Sequence, residues 1–161
     1  MTGGAETFRA FYEVELVALR RLAYRLTGDV AEAEELAQET MVRVYTAWRR
    51  IEAEDPRGYA RIVLMNRHRS LLRRTRLEAK HLLRVEPSPA REQDENLVWR
   101  ELLALPVRQR QAIALHFYEG LPEVEVARVL GCPPGTVNSL VHRGLARLRR
   151  IMIDDDRSEV R

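Results

Sequence analysis

Arginine is the residue type in this chain best suited to chemistry with a partner: 26 of the 27 basic residues are arginine, and only Lys80 is lysine. The planar guanidinium donates hydrogen bonds in a fork that matches phosphate oxygens and base edges. Catalytic and metal-binding candidates are few, because Cys132 is the single cysteine and the four histidines lack the spacing of zinc ligands. We find no nucleophile–base pair and no phosphate-binding loop. The sequence therefore predicts a protein that is not an enzyme and uses no cofactor, no metal and no small-molecule substrate.

The positive charges fall in two blocks. Residues 57–76 contain seven arginines and no acid, and residues 135–150 contain four arginines and no acid. Acid-rich stretches precede each block, over residues 29–55 and 86–101. Because the formal net charge is only +3, the two blocks rather than the overall charge favour contact with a polyanion at two places. Solvated helix faces are the alternative interpretation of this pattern.

Composition and length bound the class of protein. The 161 residues are 45% hydrophobic and 32% charged, which suits one domain or two small ones. No apolar run approaches the ~18 residues that a membrane span needs, so no membrane insertion is expected. The first residues lack the basic start and apolar stretch of a secretory signal, and a single cysteine fits a reducing compartment. We therefore predict a cytoplasmic protein.

Hydrophobic spacing predicts an all-α fold of two small helical domains joined by a flexible linker. Apolar residues recur at steps of three and four through three helices, which make a first domain at residues 5–77. Residues 78–95 lose this periodicity, contain Pro87-Ser88-Pro89 and are predicted to be the linker. Four shorter helices follow in a second domain at residues 96–152, and the polar tail around Asp154 is expected to fray.

The same spacing assigns a buried face to each of the longer helices. Asp29 is expected to begin the second helix as an N-cap, and Asp55 the third. In the third helix we expect five residues to face inward and the arginines to face outward; the inward residues are Tyr59, Ile62, Val63, Asn66 and Ser70. The predicted stripe of the second helix runs through Ala33, Leu36, Ala37, Met41, Val44, Trp48 and Ile51.

The last two predicted helices have the spacing of a helix-turn-helix. Gly131 lies in the break between them, with Ala127 four residues before it and Val137 six residues after it. A small residue lets the helices approach, glycine accepts a positive φ, and a buried aliphatic anchors the second helix. The expected inward residues of that second helix are Val137, Val141, Leu145 and Leu148. Its outward residues include no acid, as a helix entering the DNA major groove requires; they are Thr136, Asn138, Ser139, His142, Arg143 and Arg147. An ordinary helical hairpin is the alternative.

Motifs in both halves of the chain carry a resemblance to a known family. Those of the second half are Leu105-Pro106-x-Arg108-Gln109-Arg110, Glu125-Val126-Ala127, Leu130-Gly131-Cys132-x-Pro134-Gly135-Thr136-Val137-x-Ser139 and His142-Arg143. Those of the first half are Leu26-Thr27-Gly28-Asp29, Glu35-Leu36-x-Gln38-Glu39 and Tyr59-Ala60-Arg61 with Asn66. Together they resemble the extracytoplasmic-function (ECF) sigma factors, in particular the short two-domain sigma-E-like group of the sigma-70 family. The resemblance covers residues 7–150 apart from the predicted linker. It implies a subunit that directs core RNA polymerase to promoters and assists DNA melting.

The resemblance also implies partners and site residues. The partners would be core RNA polymerase, through its β′ clamp helices and β flap, and promoter DNA; an anti-sigma factor is a further partner that the resemblance allows. Polymerase would be bound by Glu35, Leu36, Gln38, Glu39 and Arg43. The minus-ten element would be bound by Glu54, Asp55, Arg57, Arg61, Asn66, Arg67, Arg73 and Arg74. The minus-thirty-five element would be bound by Thr136, Asn138, Ser139, His142, Arg143 and Arg147.

Several residues depart from the family pattern. Ser70 stands where the family usually has aspartate, and Pro122 and Pro133 stand where it usually has serine or threonine caps. Asn138 and Leu140 replace common cations, which predicts weak DNA binding by the second domain alone. Two alternatives stay open. The residues alone favour Leu36 as a core residue and not as a polymerase contact. A stand-alone transcriptional regulator could also have a helix-turn-helix like that of the second half of this chain. Such a regulator, however, needs no second basic helix beside an acidic docking helix.

Overall fold

The computed structural model describes residues 3–81 and 97–159, and the chain divides into two compact units, Met1–Ala90 and Arg91–Arg161. All regular elements of the described residues are helical, as expected of an all-α fold. None of the described helices is long and apolar enough to cross a membrane. Residues 78–81, predicted as linker, are helical, and the rest of the predicted linker falls outside the described residues.

The first unit contains three helices: α1 (Gly3–Thr27), α2 (Val30–Ile51) and α3 (Pro56–His81). Gly28, with φ 70°, separates α1 from α2, and Asp29 caps α2 by accepting a hydrogen bond from the Glu32 backbone N–H at 2.9 Å. Asp55 caps α3 in the same way, since its Oδ1 accepts from the Gly58 N–H at 2.9 Å. Side-chain oxygens thus satisfy backbone donors at both predicted helix starts.

The core of the first unit forms where α1, α2 and α3 meet. All seven residues of the stripe predicted for α2 are buried. They pack with the leucines of α1, of which Leu19, Leu22 and Leu26 are fully buried, and with Leu64 and Met65 of α3. The spacing of apolar residues in α1 and α2 therefore determined which faces are buried.

The predicted buried face of α3 was wrong. Asn66 is exposed, and the remaining predicted inward residues are only half-buried. Besides Gly58, the residues of α3 described as buried are instead Ala60, Arg61, Leu64, Met65 and His68. The register differs because this helix buries two polar side chains, and the charge of Arg61 is neutralised by Glu15, a residue on α1. Apolar periodicity cannot show a helix face that is partly charged.

The second unit contains α4 (Leu97–Leu102), α5 (Val107–Ile113), α6 (Glu123–Leu130) and α7 (Pro134–Glu159). A π-helical turn at Ala114–Tyr118 continues α5. Helix α7 runs past the predicted end at Met152, so the tail expected to fray is helical as far as Glu159. No glycine or proline follows Met152, and nothing in the sequence ends the helix there.

Helices α6 and α7 form the predicted helix-turn-helix. Gly131 ends α6 with φ 64°, and the Cys132 N–H donates to the Ala127 carbonyl at 3.1 Å. Ala127 and Val137 are buried, as the spacing predicts. Leu145, expected to face inward, is 38% exposed. The buried position beside it is Gly144, where a Cβ would lie 2.5 Å from Cδ1 of Ile113, a core residue of α5.

Candidate nucleic-acid and polymerase-binding surfaces

The outer side of α7 carries the six residues expected to bind the upstream promoter element, and all six are exposed. We call them the reading face: Thr136, Asn138, Ser139, His142, Arg143 and Arg147. Within the described residues, no carboxylate lies within ion-pair distance of Arg143 or Arg147. A helix that presents uncompensated cations and amide and hydroxyl groups is suited to phosphates and base edges.

Two side chains of the reading face are held by hydrogen bonds within the protein. Asn138 donates from Nδ2 to Oε1 of Glu123, at the start of α6, over 3.3 Å. The Ser139 hydroxyl donates to the Gly135 carbonyl at 3.1 Å. Ser139 and Arg143 also border a shallow depression with Thr136 and Leu140. The reading face is therefore partly ordered in the free protein.

Two arginines of α5, Arg108 and Arg110, hold the second unit together. Arg110 is 9% exposed and donates from Nη2 to the carbonyls of Leu103 at 2.8 Å and Leu105 at 3.0 Å. Arg108 donates from Nη1 to the Leu130 carbonyl at the end of α6, over 3.4 Å. Both satisfy carbonyls at helix or turn ends, so they position the helix-turn-helix and do not belong to its reading face.

The first turns of α3 form an ionic cluster with α1. Glu15 is 3% exposed; its Oε1 lies 2.6 Å from Nε of Arg57, and its Oε2 lies 3.4 Å from Nη1 of Arg61. Arg61 is itself 5% exposed and donates to the Arg57 carbonyl at 3.1 Å. Arg61 was expected to face outward, where it could hold minus-ten DNA; this was wrong, because its side chain is buried. Arg57 remains exposed and is anchored by the buried carboxylate.

Further along α3, the predicted DNA-binding residues differ in their partners. Arg67 donates from Nε to Oε2 of Glu39 on α2 at 2.8 Å, so residues assigned to DNA and to polymerase contact each other. Asn66 is exposed and accepts a hydrogen bond from Arg69. Arg73 and Arg74 are exposed on the following turns. The exposed cations of α3 thus lie mainly in its second half.

The loop between α2 and α3 is held by hydrogen bonds to the first turn of α3 and to Thr7 near the start of α1. Asp55 is half-buried as the cap of α3, while Glu54 is exposed. Glu52 accepts a hydrogen bond from Thr7 at 2.5 Å, and Thr7 accepts one from the indole of Trp48 at 3.1 Å. Trp48 is buried and Tyr59 half-buried, so neither is an open stacking platform for bases.

The outer face of α2 holds most of the predicted polymerase-binding residues. Glu35, Gln38 and Arg43 are exposed, and Glu39 is half-buried against Arg67. Leu36 is 3% exposed and belongs to the core, so its predicted place in a docking surface was wrong. The residues alone had favoured Leu36 as a core residue, and that alternative is confirmed.

The start of α2 is acidic. Partial burial is the main cause that raises the pKa of the Glu32 carboxyl there, and repulsion from Asp29 and Glu35 adds to it.

Sequence reasoning missed two acids and one apolar surface. Glu15 was detectable as a single acid on the otherwise apolar face of α1, whereas no pattern in the sequence links Glu123 to Asn138. The missed surface includes Val42, 64% exposed, and Tyr45, 58% exposed, on α2. The Tyr45 ring lies 4.8 Å from that of Phe8 on α1. Exposed aromatic and aliphatic side chains on one face are typical of protein interfaces.

Among the described residues, no three histidine, cysteine, aspartate or glutamate side chains lie close enough together to hold a metal ion.

Comparison with known proteins relates each unit to one family. The model of Sigma-70 region 2 matches residues 11–78, and that of Sigma-70, region 4 matches residues 95–148. The RNA polymerase sigma-E factor of Streptomyces coelicolor is 34% identical over 157 residues, covering 92% of this chain and 88% of that protein. The ECF RNA polymerase sigma factor SigL of Mycobacterium tuberculosis is 32% identical over 159 residues, covering 90% and 88%.

A solved structure gives the same relationship. The sigma factor RpoE from Bartonella quintana, crystallised with the anti-sigma factor NepR, aligns with a TM-score of 0.74 at 25% identity. The alignment covers 90% of this chain and 96% of that one. A stand-alone regulator would not be expected to match region 2, so this alternative does not fit the first half of the chain.

Proposed function

Because this chain belongs to the ECF family of RNA polymerase sigma factors, which direct transcription initiation at promoters, we propose that its two units contact two elements of one promoter. The reading face of the second unit would bind the upstream, minus-thirty-five element. The first unit would bind the minus-ten element and help to melt it. Sigma factors are DNA-binding subunits and not enzymes, and the chain would act with polymerase in the cytoplasm.

The observation that carries this proposal is the exposure of all six reading-face residues on one side of α7. In a helix-turn-helix, the second helix enters the major groove and its outward side chains contact base edges. Arginine favours the O6 and N7 acceptors of guanine, and asparagine the N6 and N7 pattern of adenine. Arg143 and Asn138 therefore favour an upstream element with G and A close together, and a GAA-like core would fit.

For the minus-ten element, the support comes from the exposed cations of α3. Arg57, Arg73 and Arg74 are exposed, and Asn66 lies between them. A row of cations can follow the backbone of a single strand, and Glu54 lies in the adjacent loop where the family captures a flipped base. In this proposal Arg61 acts from within the core by holding the first turn of α3, and does not contact DNA.

We place the polymerase-docking surface on the outer face of α2, facing the β′ clamp helices. Glu35, Gln38 and Arg43 are exposed there, and Glu39 borders them. Val42, exposed among these polar residues, takes the apolar role that Leu36 cannot take. Exposed acids beside an apolar centre suit a basic helical partner, because complementary charge guides association and apolar contact adds affinity. The second unit would contact the β flap.

An anti-sigma factor is a further proposed partner, since the structurally similar RpoE was crystallised with one. Purification of the tagged chain from its host would test this. A co-purifying protein that blocks binding of core polymerase would support the proposal, and recovery of the chain with polymerase alone under all growth conditions would contradict it.

The function is tested by run-off transcription with purified core polymerase and a genomic fragment library of the host, followed by mapping of start sites. We expect the chain to add a set of start sites that core alone lacks. Their upstream regions should share a G- and A-containing element together with a second element near the start site. Binding to DNA without any new start site would contradict the proposal.

A further inference from the structure

The side chain of Asn138 can present two different groups to DNA. Its amide has an oxygen that accepts hydrogen bonds and a nitrogen that donates them, and rotation by half a turn exchanges the two. Adenine and cytosine offer amino groups in the major groove, whereas guanine and thymine offer oxygen acceptors at the equivalent edge. An unrestrained asparagine could therefore satisfy either class of base, and would discriminate poorly between them.

In this chain the amide contacts an acid from the other helix of the helix-turn-helix. Nδ2 of Asn138 lies 3.3 Å from Oε1 of Glu123, the first residue of α6. A carboxylate only accepts hydrogen bonds, so this contact exists in one of the two amide orientations and is lost in the other. Because the acceptor is ionised, the bond is also stronger than one between neutral groups.

We propose that Glu123 is a specificity-determining residue, which holds the amide nitrogen of Asn138 so that its oxygen Oδ1 faces the base pair. The inference rests on the proposed reading of the upstream element by α7, and deepens it. One base contacted by Asn138 is then selected for its amino group. Since a single hydrogen bond decides the choice, adenine or cytosine is preferred over guanine or thymine by about fivefold at that position.

Replacement of Glu123 by glutamine can keep the hydrogen bond to Asn138 while no longer fixing which way the Asn138 amide is turned. Glutamine is of nearly equal size and exposed like the original, but its amide can donate as well as accept. The pair can then reverse together, with the glutamine donating to Oδ1 and the Asn138 nitrogen facing the base. In Glu123→Gln we expect the preference for amino bases to fall below about twofold.

A matched control is available on the same helix. Glu125→Gln removes the same charge two residues away, but the Glu125 carboxylate contacts Arg128 at 2.8 Å. Both variants remove a negative charge close to the DNA, so both should strengthen binding to all sequences alike. Only Glu123→Gln should also change base preference. Asn138→Ala identifies the affected position, because it removes the amide altogether.

The experiment uses full-length chain with core polymerase and a promoter library in which each base pair of the upstream element is randomised. Sequencing of the transcripts gives base preference at every position. We expect Asn138→Ala and Glu123→Gln to flatten the same single position, with Glu125→Gln leaving all positions unchanged. Far-ultraviolet circular dichroism of each variant checks that the helices are retained.

Three results would overturn the inference: an unchanged preference in Glu123→Gln, a preference for guanine or thymine at the position that Asn138→Ala flattens, or no position flattened by Asn138→Ala. In the first of these results, an affinity that changes equally for all four bases would show that Glu123 acts by its charge only. Failure of the proposed function is distinct, because the unsubstituted chain would then yield no promoter-specific transcripts at all.

Discussion

The two units position their basic helices in different ways. In the first unit, α3 is held by charge: Glu15 is buried against Arg57 and Arg61, and Glu39 binds Arg67. In the second unit, α7 is held by close apolar contact, because Gly144 lies against Ile113 and Leu148 packs in the same cluster. Some arginines of α3 therefore hold the unit together, and others, such as Arg73 and Arg74, are exposed. Arg143 and Arg147 of α7 remain exposed, and no described acid pairs with them.

This difference shows that a basic block in a sequence is not by itself a DNA-binding surface. A buried ion pair contributes little net stability when intact, but loss of one partner leaves a buried charge and is costly. Substitutions in α3 can thus reduce activity by unfolding the unit, whereas those on the exposed reading face of α7 should leave the fold intact and so test the proposed contact with DNA.

The largest effect is expected for Glu15→Ala. Loss of the buried carboxylate removes an ion-pair partner of Arg61, whose guanidinium stays buried, and should lower the free energy of unfolding of the first unit by about 3–5 kcal/mol. Urea unfolding followed by Trp48 fluorescence, in a Trp99→Phe background, measures this. The control is Glu13→Ala, which removes an exposed acid of the same helix and should change stability little.

A double variant makes the same test sharper. Replacing both Glu15 and Arg61 by apolar residues of similar size should recover most of the lost stability, since no unpaired charge then remains buried. If Glu15→Ala alone unfolds at the urea concentration of the original chain, the ionic cluster does not hold α3.

Gly144→Ala is expected to have the next largest effect, and it acts on the second unit. A Cβ there would lie 2.5 Å from Cδ1 of Ile113. Cδ1 is the end of a flexible side chain, but Ile113 is 4% exposed and has little room to turn away within the core. Its displacement should cost about 1–3 kcal/mol, partly offset by the higher helix propensity of alanine. Gly135→Ala is the matched control on α7, because a Cβ at that residue would meet no atom within 4 Å, and it should be neutral or stabilising. Thermal unfolding of both variants distinguishes the two outcomes, and equal melting temperatures would contradict close packing at Gly144.

On the reading face, Arg143→Ala should lower affinity for the preferred upstream element by about 1–3 kcal/mol and relax specificity at one base pair. The chain should keep its stability, because Arg143 is exposed. Titration of the complete polymerase complex against all single-base variants of the element measures both quantities. A uniform loss, with no position relaxed, would make Arg143 a phosphate contact.

The smallest effect is expected for Arg147→Ala, one turn further along α7. A phosphate contact carries no sequence information, so binding should weaken equally for all elements. The slope of log affinity against log salt concentration should decrease by about one. If this variant instead changed base preference, Arg147 would contact a base and not a phosphate.

Much of the fold could be predicted from the sequence, because α1, α2 and α6 bury apolar stripes. In addition, Asp29 marks the start of α2, and Gly131 marks the end of α6. The register of α3 could not, since its buried face includes Arg61 and His68. Leu145 was misplaced because Gly144, with no side chain to mark it, takes the buried position. The reading face was foreseen from spacing, but its contact with Glu123 depends on how α6 and α7 pack, which pattern alone does not give.

The division of labour between the units is tested most directly by run-off transcription from one promoter, supplied either as duplex or with its downstream element already unpaired. Arg143→Ala is compared with the double variant Arg73→Ala, Arg74→Ala, in complex with core polymerase. If α3 assists melting as proposed, the double variant should lose most activity on duplex and regain it on the unpaired template. Arg143→Ala should lose activity equally on both templates. Equal losses by the double variant on both templates, or rescue of Arg143→Ala by unpairing, would contradict the account.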